Sequence, residues 1–408
     1  MAYYSPRSSA GRSRTPGRQH FGPSKRAPHS NKRGAYIHPS KFVNKATVAV
    51  DESIYESTHT FRDFGFNERL QANLDRKNFT APSAIQDQAI KPILEGRDVV
   101  GLANTGTGKT AAFVLPLIEK LVDRPPVPTV LIMAPTRELA LQINDEFKTF
   151  AEGLRLFSVL LVGGTNIDRQ IRDLRRGQHV IIGTPGRLKD LMNRGELKLG
   201  TVQCLVLDEA DRMLDMGFIN DIRSILLELP KERQTLFFSA TITPDIRSII
   251  DQFLREPLEV SVRTADTSER VEQDVVYASS KEEKLEKLLQ MLKADDFEKT
   301  LVFGETKFGV QRLSDHLERE GISSVAIHGN KSQSQRQRAL RAFKNDAASV
   351  MVATDVAARG LDIPKVTHVV NFDQPATYED YVHRIGRTGR GGATGKAFTF
   401  VSGSQQSR

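Results

Sequence analysis

Short apolar runs recur along most of this chain, separated by longer stretches with helical spacing. In the first half the runs are Val99–Leu102, Val130–Met133, Phe157–Leu161, Val180–Ile182, Leu205–Leu207 and Leu236–Phe238. Runs this short, rich in Val, Ile, Leu and Phe and bounded by turn residues, predict buried strands. Strands alternating with helices predict an α/β fold with a parallel sheet covered on both faces. The pattern breaks in the polar stretch 263–270 and then restarts with Glu272–Val276, Thr300–Phe303, Ser324–Ile327, Val350–Val352, His368–Asn371 and Ala397–Val401. The pattern therefore predicts two tandem α/β domains, 56–262 and 271–408, joined by a linker at 263–270. Residues 1–55 are rich in Ser, Gly, Pro and Arg and show no period, which predicts a disordered basic tail.

Charge sharpens this picture. The chain of 408 residues has a net charge of +8, yet ten Lys and Arg and no Asp or Glu fall in residues 1–45. The rest of the chain is slightly acidic, so any nucleic-acid site on the body must be a local arrangement. No apolar run approaches the ~18 residues that cross a bilayer, and the polar N-terminus lacks the apolar core of a secretory signal. The only cysteine, Cys204, lies inside an apolar run, which predicts a buried small hydrophobe and excludes an intramolecular disulfide. The expectation is a cytoplasmic protein without a membrane segment.

The first chemistry-bearing stretch is Ala103-Asn104-Thr105-Gly106-Thr107-Gly108-Lys109-Thr110, between a predicted strand and a predicted helix. Glycines let successive backbone N–H groups converge on an anion, and the helix N-terminus adds its positive end. Lys109 can reach the β- and γ-phosphates of a nucleotide, and the Thr110 hydroxyl can ligate Mg²⁺. Ala103 stands where the broad phosphate-loop pattern has its first glycine. Further on, the strand Leu205–Leu207 ends in Asp208-Glu209-Ala210-Asp211. Beside a phosphate loop, Asp208 can hold Mg²⁺ and Glu209 can orient or deprotonate an attacking water.

With these residues and the motifs that follow them, the chain resembles the DEAD-box RNA helicases of helicase superfamily 2, over about residues 61–402. The first half carries Pro135-Thr136-Arg137-Glu138-Leu139-Ala140, Gly163-Gly164, Thr184-Pro185-Gly186-Arg187 and Ser239-Ala240-Thr241. The second carries His328-Gly329, Gln333 with Arg336, the run from Ala353 through Thr354 to Asp362, and His383-Arg384-Ile385-Gly386-Arg387-Thr388-Gly389-Arg390. Within the family the second half looks most like the bacterial RhlE-type branch.

The resemblance implies two RecA-like domains and an RNA-dependent ATPase using ATP and Mg²⁺. It implies that Thr105, Gly106, Thr107, Gly108, Lys109 and Thr110 hold the phosphates, that Asp362 contacts the ribose, and that Arg387 and Arg390 reach the γ-phosphate. Ser239, Thr241, Asp211 and His383 would couple the nucleotide site to domain closure. Pro135, Thr136, Arg137, Gly163, Gly164, Thr184, Pro185, Gly186, Arg187, Arg336 and Thr354 match the RNA-binding positions. The stretch Phe79 to Gln86 resembles the family's Q motif. A glutamine amide matches the donor–acceptor edge of adenine and not that of guanine. Phe61, upstream, is either a stacking partner for the base or a core aromatic. Asn78 replaces the usual glycine before Phe79, a change that Asn can accommodate at positive φ. The partner is RNA gripped by its backbone, and the expected state is a monomer. Two rivals stay open: a DNA helicase or generic phosphate-loop ATPase, and an RNA-clamping module whose ATPase is incidental.

Overall fold

The computed structural model describes residues 37–44, 55, 57–104, 106–262, 271–294, 296–358, 361, 363, 365–389 and 394–403. The expected linker 263–270, most of the expected tail (1–36 and 45–54) and residue 56 lie outside those residues.

Among the described residues thirteen strands form two sheets. The first contains β1 (Val99–Ala103), β2 (Val130–Met133), β3 (Ser158–Leu161), β4 (Val180–Gly183), β5 (Cys204–Leu207), β6 (Gln234–Ser239) and β7 (Leu258–Val262), in the order β3-β4-β2-β5-β6-β1-β7. The second contains β8 (Val271–Ala278), β9 (Thr300–Phe303), β10 (Ser324–Ile327), β11 (Val350–Ala353), β12 (His368–Asn371) and β13 (Gly395–Ser402), in the order β10-β11-β9-β12-β13-β8. Every pairing within both sheets is parallel.

Successive side chains of a strand point to opposite faces, and the cores follow that rule. Ile132, Ile182, Val206, Leu236 and Phe238 join one core with Leu115, Ile118 and Phe147. Their neighbours Leu131, Ile181, Leu205, Leu207 and Phe237 join the opposite core with Ile222, Ile225 and Ile246. The second sheet is sandwiched in the same way. Cys204 is buried in β5, and burial pushes its thiol up to about 12.

Two features of the fold depart from the pattern reading. Strand β7, at the sheet edge, was not predicted by it. Leu258-Glu259-Val260-Ser261-Val262 alternates and only Val260 is fully buried, because an edge strand is covered less completely. Part of the expected tail is also packed. Residues 37–44 are packed on the second sheet: Phe42 is fully buried against Tyr381, and Asn44 pairs antiparallel with Gln273 of β8. One aromatic in a polar stretch leaves no period to read. Asn78, by contrast, adopts φ 57, the left-handed conformation expected of it.

The chain enters the first domain through a polar clamp on Asp87, which is buried in the helix Ala84–Leu94. The Tyr55 hydroxyl donates to Asp87 Oδ2 (2.6 Å), as do the Thr58 amide (2.9 Å) and hydroxyl (3.0 Å), and His59 Nδ1 lies 2.7 Å from Oδ1. Burial alone would raise this carboxyl. Hydrogen bonds from Tyr55, Thr58 and His59 outweigh it and hold Asp87 below its ordinary value. A depressed carboxylate contributes stability above its unfolded value, about 3.9, and loses it as pH falls through the lower folded value. Asp87→Asn should therefore be less stable to urea than the parent at pH 7, with the gap closing as the pH falls below about 4. A gap that stays constant from pH 7 to pH 3 would show that the carboxylate charge is not what holds the clamp.

Candidate active site

In a parallel sheet all carboxyl ends face one side, so the loops after β1, β5 and β6 gather there as neighbours. The loop after β1 turns through Gly106 and Gly108, both near φ 90, into the helix Lys109–Leu121. Gly108 cannot be replaced freely, because a Cβ there would lie 2.4 Å from Gln86 Nε2. Lys109 is buried and its Nζ donates to the Ala103 carbonyl at 2.7 Å. The Thr107 hydroxyl closes the loop on the Asn104 carbonyl at 2.8 Å. Thr105 lies outside the described residues.

Gln86 sits beneath this loop. Its Oε1 accepts from the Ser83 amide (2.9 Å) and its Nε2 donates to the Gly108 carbonyl (3.1 Å), while the Ser83 hydroxyl donates to the Thr107 carbonyl (2.8 Å). The amide thus ties the Q-motif helix to the phosphate loop. One of its N–H groups and one lone pair are left over for a base edge. Of the two aromatics, Phe79 lines the cleft. Phe61 is buried, with Phe64 and Phe79 at centroid distances of 6.2 and 5.8 Å.

At the end of β5, Asp208 and Glu209 are both buried. Glu209 has φ 51, an uncommon conformation for a non-glycine residue that concentrates at functional sites. Burial pushes the Asp208 carboxyl up to about 7, against the opposing pull of Lys109. Glu209 pairs with Arg212, Nη1 to Oε2 at 2.7 Å, with both side chains buried. Asp211 Oδ2 accepts from the Ala240 amide (3.0 Å), the Thr241 amide (3.1 Å) and the Thr241 hydroxyl (3.3 Å). The Ser239 hydroxyl donates to the Thr241 carbonyl (2.8 Å). Asp211, Ser239 and Thr241 therefore form one hydrogen-bonded unit joining the ends of β5 and β6.

The other half of the sheet edge, after β2, β3 and β4, collects the predicted backbone-gripping residues. Pro135, Thr136 and Arg137 follow β2, and Thr136 caps the helix Arg137–Phe150 by accepting from the Leu139 amide at 3.2 Å. Gly163 and Gly164 follow β3. A Cβ on Gly164 would run into the Arg137 guanidinium, so that pair of glycines seats Arg137. Thr184, Pro185, Gly186 and Arg187 follow β4, and Arg187 donates to the Thr165 carbonyl at 3.3 Å.

The second domain closes the cleft from the other side. Gln333 Nε2 lies 3.3 Å and Arg336 Nε 3.0 Å from Glu138 Oε1, which bridges the two domains. Arg336, matched to an RNA-binding position, has a largely buried side chain, and its charge is paired with Glu138. Thr354 follows β11, its amide bonded to the Ile327 carbonyl at 3.3 Å. Arg387 is buried, with Nη1 donating to the Leu361 carbonyl at 2.8 Å. His383 is half-buried on the helix Tyr378–Ile385. On the same helix Arg384 grips Asp355 with both arms (2.6 and 2.7 Å) and donates to the Asp373 carbonyl (2.6 Å). Asp362 and Arg390 lie outside the described residues.

A cleft of about 580 Å³ is lined by Phe79, Gln86, Gly106, Gly108, Lys109, Thr110, Asp208 and Glu209 from the first domain and by Leu340, Lys344 and Leu361 from the second. This is the size range of small-molecule sites, about 300–1,000 Å³. Its residues fit a nucleoside triphosphate with Mg²⁺: a glycine cradle, a lysine beside it, and a buried carboxyl whose charge a cation would stabilise. Among the described residues no group of three or more His, Cys, Asp and Glu is placed to hold a metal alone. A divalent cation here would share Asp208 and Thr110 with phosphate oxygens and water, as Mg²⁺ commonly does.

Three residues were not singled out from the sequence: Arg212, Arg384 and Glu138. Each lay inside a quoted motif or beside one, and that position was the only available signal. Arg212→Ala would leave Glu209 buried without its counter-charge, an effect of about 3–5 kcal/mol. Urea unfolding of the first domain should show that loss, and adding Glu209→Gln should recover part of it. A loss below about 1 kcal/mol would mean that the pair is solvated in solution.

Comparison with known proteins agrees with the geometry. Residues 83–249 match the DEAD/DEAH box helicase family and 280–392 the helicase conserved C-terminal domain. The chain is 45% identical over 350 residues to the DEAD-box ATP-dependent RNA helicase CshA of Bacillus subtilis, covering 86% of this chain and 71% of that protein. It is 46% identical over 343 residues to CshA of Geobacillus kaustophilus, covering 84% and 73%. Its fold is similar to that of S. cerevisiae Dbp5 bound to RNA and ADP BeF3, with TM-score 0.74, 30% identity and 85% and 90% of the two chains covered. It is also similar to Mss116p bound to ssRNA and AMP-PNP, with TM-score 0.76, 31% identity and 84% and 74% covered. Two parallel-sheet domains, a phosphate loop, the buried Asp208–Glu209 pair and these relatives together place the chain in the DEAD-box ATP-dependent RNA helicase family.

Proposed function

We propose that this helicase works as a single polypeptide whose two domains close on ATP and one RNA strand. The observation that carries this reading is the cleft itself, lined from both domains at the phosphate loop. Similarity to RNA- and nucleotide-bound relatives over both domains at once supports it.

Lys109 exchanges the Ala103 carbonyl for β- and γ-phosphate oxygens. Asp208 and Thr110 would hold Mg²⁺, which when bound would supply charge neutralisation on the phosphates. Glu209, fixed by Arg212, orients the attacking water and accepts its proton. Arg387 and Arg390 bring positive charge to the γ-phosphate when the domains close, an effect worth ~10³–10⁵ in rate in other NTPases. The products are ADP and phosphate, and their release lets the cleft reopen.

The loops after β2, β3 and β4, with Arg336 and Thr354 opposite, grip the RNA backbone. Contacts of this kind select by 2′-hydroxyls and A-form shape and do not read bases. Bending one strand in that grip melts a short duplex locally. A monomeric, cytoplasmic enzyme is part of the proposal, and among the described residues no helix is long and apolar enough to cross a membrane. The likeness to the RhlE-type branch also belongs to the proposal. It rests on the sequence of the second domain, whereas the relatives compared above carry the name CshA.

Lys109→Ala should reduce RNA-stimulated ATP turnover below a tenth of the parent rate. Glu209→Gln should still bind ATP and accumulate RNA-bound protein. ATPase stimulated equally by RNA and DNA would overturn the RNA preference, and strand displacement without ATP would favour a clamp.

Residues 1–36 carry eight Lys and Arg and no acid, which suits a non-specific RNA tether. The logarithmic salt slope of single-strand binding is roughly −0.7 per neutralised phosphate. If about five of these charges engage, deleting 1–36 should flatten the slope by about 3.5 units while leaving turnover at saturating RNA unchanged. Equal slopes across a salt series would remove the tether.

A further inference from the structure

The helix Tyr378–Ile385, which leads into Arg387, is buttressed by a segment that precedes the first domain in sequence. Phe42 is fully buried, with its ring centroid 4.7 Å from that of Tyr381. Lys41 Nζ lies 5.7 Å from the centre of the Tyr378 ring, within reach of a cation–π contact. The Asn44 amide donates to the Gln273 carbonyl at 3.0 Å, and the Gln273 amide donates back to the Asn44 carbonyl at 2.8 Å. The Tyr381 hydroxyl donates to Gln273 Oε1 at 2.8 Å. Phe42, Tyr381, Gln273 and Asn44 thereby form a closed circuit of contacts. Each member is held by packing or by directional hydrogen bonds.

The circuit touches the arginine side of the active site. Tyr381 and Arg384 are three residues apart and so share a helix face. Arg384 locks the helix to Asp355, and the helix ends just before Arg387. A buried ring is a poor place for looseness, because interiors are close-packed and pass on a shift. A misplacement of about 1 Å at a reacting centre can lower a rate ~10²-fold.

We propose that residues 37–44 are a positioning element for the arginine helix, with Phe42 as its principal side chain. The segment touches no nucleotide. It sets the height and tilt of the helix on the second sheet, and with them the approach of Arg387 to the γ-phosphate when the cleft closes. The proposal rests on the reading of Arg387 given above and extends it to a part of the chain outside the matched regions 83–249 and 280–392.

The experiment is single-turnover ATP hydrolysis on saturating RNA, with the full chain. The rate constant, unlike the amplitude, does not depend on how much of the protein is folded. Phe42→Ala should lower that constant about tenfold and leave ATP binding in the absence of RNA unchanged. Phe42→Leu, which refills most of the pocket, should recover most of the rate. Deleting 1–36 should leave the constant unaltered, and deleting 1–44 should lower it as Phe42→Ala does. If Phe42→Ala proves too unstable to assay, Asn44→Pro, which removes one backbone donor of the circuit, carries the same expectation. A rate constant within twofold of the parent in Phe42→Ala, or in Asn44→Pro where that variant replaces it, would overturn the proposal. So would a loss that Phe42→Leu does not recover. A parent protein whose ATPase ignores RNA would instead refute the function on which the proposal rests.

Discussion

A parallel strand cannot be followed directly by its neighbour; the chain must cross over the sheet to begin again. That constraint determines everything chemical about this protein. Each crossover leaves a loop at the same edge, so chemistry can accumulate there from distant parts of the sequence. The strand order then sorts the loops. Those after β1, β6 and β5 stand side by side and carry the phosphate loop, the Ser239–Thr241 turn and the Asp208–Glu209 pair. Those after β2, β4 and β3 continue the row and carry the residues proposed to grip the RNA backbone. With strands about 4.8 Å apart, the centre of one group lies ~14 Å from the centre of the other. A nucleotide and an RNA strand can therefore bind the same edge without colliding.

The acids of this edge are held by partners that fix both place and charge. Asp211 spends one carboxylate oxygen on three donors from the turn after β6, which makes that turn rigid with respect to β5. Glu209 is kept in a strained left-handed conformation and secured by Arg212. Asp208 has no such arginine, and burial raises its carboxyl. Neighbouring acids in one short stretch thus have different work. One is braced as part of the frame, one is aimed, and one is left wanting a cation.

The sequence showed most of this wherever a feature is local. Strands buried on both faces appear as unbroken apolar runs, so nearly all were found, and only the alternating edge strand β7 escaped. The phosphate loop was legible because its glycines, lysine and flanking elements lie within a dozen residues. What escaped depends on distant partners. Glu138 gains its meaning from Gln333, 195 residues away, and Arg384 from Asp355, 29 away. That Phe61 packs beside Phe64 and Phe79 shows only in the folded chain. Phe42 looked like part of a polar lead-in because its pocket is supplied by the far end of the chain.

The Glu138 bridge has one more implication. Arg336 holds the Glu138 carboxylate across the cleft. If Arg336 also takes an RNA phosphate as proposed above, it must leave one anion for another, and the cost of breaking the first pair offsets part of the gain from the second. Grip built this way is poised: a small change elsewhere in the cleft can tip it in either direction. A motor that releases its track in every cycle is better served by such balanced handovers than by a single deep trap.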